Sequence, residues 1–150
     1  MSEATTKEWR HIRVIVLGIS MVVGFFAFLY ADLTTYSMND IPTGADHLRF
    51  ARLVASGSLL AAVIASITIR CRHAWGWARS ATCGFGGAFS VTGFALGLYF
   101  AISASDLGAD PAYFYDVWTV GQVYAFAAAC AVVWVVCGSI FSLALRYTAD

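Results

Sequence analysis

Cys71, His73, Cys83 and His11 are the residues of this sequence with the right chemistry to hold a metal. Thiolate and imidazole are the ligands that zinc prefers, and a structural site needs four of them. The spacing is loose, however: Cys71 and His73 form C-x-H rather than C-x-x-C, and His11 lies far away in the chain. The four read better as two surface histidines and two buried or interfacial thiols, so they are weak candidates and neither a metal nor a cofactor is expected. Cys130 and Cys137, seven apart on one helical face, read as small packing residues.

Arg49 and Arg52 could hold an anion. They stand three residues apart, so they share a helical face, and they open an apolar segment beside loops that carry Asp32, Asp40, Asp46, Asp106, Asp110 and Asp116. A long arginine at the end of a membrane helix can reach out to the headgroups. Alternatively Arg52, one turn deeper, turns inward and pairs with Asp106 or Asp116 while Asp46 serves Arg49. These four residues, Arg52, Arg49, Asp106 and Asp116, form a candidate outer-face charge site.

Catalysis finds less support. There is no Ser-His-Asp order, no HExxH and no P-loop. The apolar segments contain no histidine for haem and no central acid to couple a proton or cation. No catalytic residue is assigned.

The elements that must position these residues are membrane helices. The 150-residue chain is 60% hydrophobic and 12% charged, with zero formal net charge, and its mean hydropathy is +0.73. Such a composition is not that of a soluble globular domain, and it offers no basic face for nucleic acid. About 20 apolar residues suffice to span a bilayer. Four spans, approximately 12–31, 50–69, 81–103 and 120–145, are expected in one transmembrane domain. The first follows Lys7, Arg10 and Arg13 but is longer than a signal-peptide core and has no small-residue cleavage pattern, so it reads as a retained anchor.

The third span, ATCGFGGAFSVTGFALGLYFAIS, carries five glycines and four phenylalanines. Each glycine costs about 1 kcal/mol in a helix in water. In lipid the backbone must bond to itself, and glycine becomes a surface for close helix packing. Gly86, Ser90, Gly93, Gly97 and Ala101 fall along one side, with Gly93-x-x-x-Gly97 at the centre. The second span has its own row of small residues, including Ser58 and Ala62, suited to lying against that glycine side. The second and third helices are therefore expected to form the close-packed centre.

Seven of the nine basic residues, Lys7, Arg10, Arg13, Arg70, Arg72, Arg79 and Arg146, fall on one side of these spans, and six of the nine acidic residues fall on the other. The positive-inside rule then places both termini in the cytoplasm of a multi-pass cell-membrane protein. The expected fold is all-α, an integral membrane four-helix bundle. The expected role is that of a non-catalytic membrane subunit or interaction protein, with the lipid bilayer and a membrane-protein partner or homo-oligomer as partners and no nucleic acid. The alternatives are an oligomeric small-solute channel or transporter, with Arg52 at its outer mouth, and a membrane enzyme using the cytoplasmic-face Cys/His set.

Overall fold

The computed structural model describes residues 3–36, 44–109 and 120–146, with the backbone alone at 3–5, 44, 106–109 and 120. The described residues form four α-helices: α1 (Glu3–Thr35), α2 (Gly44–His73), α3 (Trp77–Ala109) and α4 (Val120–Arg146). All four are long and apolar enough to cross a membrane, as the sequence leads one to expect. At 1.5 Å per residue the 33-residue α1 and α3 are each about 50 Å long, against about 30 Å of hydrocarbon. In a bilayer, helices of this length would have to tilt or stand out of it by more than a turn.

The helix ends follow local chemistry. α2 begins at Gly44, a turn earlier than the apolar run implies, and Asp46 in its first turn complements the positive end of the helix dipole. Arg70, Arg72 and His73 occupy its last turn, where cations are favoured. Ala74 then adopts a left-handed φ of 52°, the conformation that commonly closes a helix C-terminus. α3 starts at Trp77, and the Ser80 N–H donates to the Gly76 carbonyl at 3.1 Å. Pro42, a residue type that marks turns, and the dipeptide Asp110-Pro111, a pair suited to a helix start, lie outside the described residues.

α3 is the helix the others share. It packs most extensively on α4, then on α2, and also touches α1, while α1 and α2 lie against each other. The sequence suggests that the glycine side of α3 faces α2, and here the structure differs. A β-carbon placed on Gly93 would lie 2.7 Å from the Trp134 nitrogen and 2.8 Å from the Cys130 carbonyl oxygen, both backbone atoms of α4. Gly86 likewise meets Cys137 and Phe141, and Gly97 meets Ala127 and Ala131. The α2 row, Ser58, Ala62 and Ser66, meets a different side of α3, at Thr92, Ala88 and Gly84. The physical reason is that α3 carries small residues on two sides. Gly84 and Ala88, four apart, make one row; Gly86, Gly93 and Gly97 make another about 200° away at 100° per residue.

Hydroxyl groups are accommodated without breaking the helices. Ser58, Ser66, Thr92 and Ser139 each donate to the carbonyl four residues back, at 2.6–3.1 Å. Others cross between helices: Ser58 bonds Thr92, and Ser90 donates to the Trp134 carbonyl at 3.2 Å. Hydrogen bonds and close van der Waals contact drive association in lipid, where apolar burial does not.

Candidate functional site

The two ends of the bundle differ in chemistry. At one end an aromatic group closes the helices: Phe28 of α1, Phe50 of α2, and Tyr99 and Phe100 of α3. Phe50 and Tyr99 stack with centroids 4.9 Å apart, and Phe28 meets Phe50 edge-on at 5.0 Å. Tyr36, just past α1, bonds through its hydroxyl to Nδ1 of the buried His47 at 2.9 Å. Burial, a hydrogen bond with Tyr99, and the nearby Asp32 and Asp46 carboxylates push the Tyr36 hydroxyl above its usual range. Tyr36 therefore stays neutral and acts as a hydrogen-bonding clasp between α1 and α2. The sequence analysis does not anticipate this clasp. Its signal was Tyr36 and His47 standing at the facing ends of successive apolar segments.

Arg49 and Arg52 lie at this same end, and both are exposed. The Arg52 carbonyl accepts a bond from Ser56 Oγ at 2.9 Å, and no carboxylate among the described residues forms an ion pair with Arg52. Asp116 lies outside the described residues, and only the backbone of Asp106 is described. The pairing of Arg52 with Asp106 or Asp116 therefore lies outside the described side chains.

At the other end, Trp75 in the α2–α3 turn is folded inward and only 8% exposed. Its indole Nε1 donates to Glu8 Oε1 of α1 at 3.0 Å, and the same oxygen lies 3.3 Å from His73 Nδ1. Arg79 of α3 lies over the Trp75 ring, 3.3 Å from its centroid, while Arg70 donates to the Trp75 carbonyl. The Nε and one terminal nitrogen of Arg79 are sealed from solvent without a hydrogen-bond partner, so the indole face is what receives that guanidinium. Trp75 also packs in a core with Ile12 and Val16 of α1, Ala65 and Ile69 of α2, Cys83 of α3 and Leu145 of α4. Trp75 thus ties α1, α2 and α3 to one another, in a core that also takes in Leu145 of α4. The sequence analysis gives Trp75 no role; its signal is Glu8, an acid set among Lys7, Arg10 and Arg13.

The metal candidates are scattered across this end. Cys71 is exposed, Cys83 is buried, and His11 and His73 line one cleft. No three His, Cys, Asp or Glu side chains among the described residues converge to hold a metal.

The remaining feature is the outer side of α4. One side of this helix rests on α3, through Val123, Ala127 and Cys130. The rest is open: Gly121, Ala125, Ala128 and Ala129 are exposed, as is the entire run from Ala131 to Val136. Gln122, Ala125, Phe126 and Ala129 line a shallow cleft of about 400 Å³. Compared with family models, with curated proteins and with solved structures, the chain matches none.

Proposed function

We propose that this chain is a non-catalytic, multi-pass protein of the cell membrane, with both termini cytoplasmic, that docks a membrane-protein partner or a second copy of itself through α4. The observation that carries this reading is the row Gly121, Ala125 and Ala129, small residues four apart and all exposed. Small residues at this spacing let another helix approach closely in lipid, where close contact is the main source of association. In α3 the comparable row is already occupied by α4; the α4 row has open space. Within the bundle Gly86, Gly93 and Gly97 already face α4, and Ser58 and Ala62 of α2 face another side of α3; the α4 row would be a further seam that joins the bundle to something else.

Ala125→Leu combined with Ala129→Leu tests the assignment. Both sites are exposed, so the unfolding temperature should stay within about 2 °C of wild type, as for substitutions away from packed features. Gentle-detergent capture with mass spectrometry, run alongside capture of a differently tagged copy, should then lose a partner that the wild-type chain holds stoichiometrically. If the double variant retains that partner, α4 is not the docking face. If no partner appears and the pure protein instead passes solutes in proteoliposomes, the oligomeric channel reading takes its place.

The orientation rests on charge asymmetry and has its own check. Cysteines introduced at Ser37 and Ser105 are expected to react with a membrane-impermeant thiol reagent added to intact cells, and one at Ser2 is not. Labelling at Ser2 would reverse the orientation.

A further inference from the structure

A cleft of about 480 Å³ lies between the start of α1 and the end of α2. Arg10 and His11 line it from α1, Arg72 and His73 from α2, and Val14 and Ile15 form its apolar floor. Two guanidiniums from different helices therefore border one recess. The nearest described carboxylate at this end, Glu8, has its Oε1 engaged by Trp75 and His73. Lys7, exposed and three residues before Arg10, adds a further cation one turn outward. This arrangement suits a phosphate oxyanion, which arginine recognises with paired donors.

What lies next to the cleft identifies the source of the phosphate. Val14, Gly18, Met21, Val22 and Phe25 follow one another at helical spacing on a single exposed face of α1. Gly18 has nothing within 4 Å of where a β-carbon would stand, leaving a shallow path along the helix. That path ends in an apolar groove of about 560 Å³, lined by Met21, Val22 and Phe25 of α1 and by Val91 and Phe94 of α3. From Val14 to Phe25 the helix rises about 16 Å, an acyl-chain dimension. A free phosphate ion would use the cleft and leave the path unexplained.

We infer that this surface is a binding site for one anionic phospholipid, its phosphate between Arg10 and Arg72 and an acyl chain along α1 into the groove. The inference rests on the membrane reading of the four helices and is independent of docking through α4. Basic recesses between membrane helices are the usual place for anionic headgroups.

Native mass spectrometry of the full chain in a mild non-ionic detergent, titrated with phosphatidylglycerol or phosphatidylcholine, provides the test. Wild type is expected to bind phosphatidylglycerol preferentially. Each basic residue at an anionic surface is worth about fivefold in affinity, so Arg10→Gln with Arg72→Gln should weaken phosphatidylglycerol binding by about 30-fold. Both arginines are exposed, so the variant should unfold at the wild-type temperature. Arg49→Gln with Arg52→Gln, which removes the same charge at the opposite end, should leave the preference intact. The site is overturned if wild type shows no preference, if the Arg10/Arg72 variant keeps it, or if the Arg49/Arg52 variant loses it equally. Displacement of the lipid by millimolar inorganic phosphate would overturn the assignment to lipid.

Discussion

Gly93→Leu is expected to separate α3 from α4 and lower stability in detergent by about 3 kcal/mol, the upper part of the range for overpacking a filled site. The reason is what the new side chain would strike. Its first carbon would stand 2.7–2.8 Å from the Trp134 nitrogen and the Cys130 carbonyl oxygen, and backbone in a continuous helix cannot rotate away as a side chain can. Gly97, the other half of the same motif, stands farther from its neighbours: a β-carbon there would sit 3.5 Å from the Ala127 carbonyl oxygen, an ordinary contact. Gly97→Ala should therefore be tolerated, and could gain up to about 1 kcal/mol of helix propensity. Gly18→Leu, on the open face of α1, serves as the control and should lose no stability. Thermal unfolding of the purified variants reads all three. Equal losses at Gly93 and Gly18 would mean that the α3–α4 contact is not where the structure puts it.

Trp75→Ala should be at least as damaging, at about 3–5 kcal/mol for truncating a buried aromatic. The loss has several parts. The substitution leaves a void beside Ile12, Ile69 and Leu145, removes the donor to Glu8, and strips the ring from beneath Arg79. Trp75→Phe separates them. Phenylalanine keeps a ring in the core and beneath Arg79 but cannot donate to Glu8, so its cost should be about 1.5–3 kcal/mol, that of a hydrogen bond to a charged group. Denaturant unfolding in micelles measures both. A cost below about 1 kcal/mol for Trp75→Ala would remove the indole from its place at the junction of the four helices.

Much of the architecture is legible in the sequence because four runs are long and apolar enough to cross a membrane, a medium that would simplify the problem. A long apolar run must satisfy its own backbone, so the four runs had to be helices. The small residues of α3 also announce close packing. What composition and spacing do not reveal is which neighbour each side receives. Gly84, Gly86, Gly93 and Gly97 all advertise close approach, and the division of Gly84 to α2 and the other three to α4 depends on how the helices are arranged around α3. The candidate sites were less legible for a related reason. Tyr36–His47 and Trp75–Glu8 join residues on different helices, and each partner taken alone reads as an interfacial anchor. Arg10 and Arg72 become a pair only when the start of α1 meets the end of α2; in the sequence they contribute to charge asymmetry and nothing more.

The position of α3 as the helix shared by all the others has a consequence for biosynthesis. As the chain emerges, α1 and α2 can meet as a hairpin, since they already contact each other. Their turn-side end stays open until the ribosome delivers Trp75, whose bond to Glu8 spans 67 positions. α3 then completes a three-helix unit, and α4 arrives last onto a glycine surface that is already assembled. Each step adds a helix to the one synthesised just before it, an order of mostly neighbouring contacts that favours rapid assembly. Until α4 arrives, the Gly86–Gly93–Gly97 side of α3 is uncovered, and in that interval it is the surface of the nascent chain most open to pairing with a wrong helix.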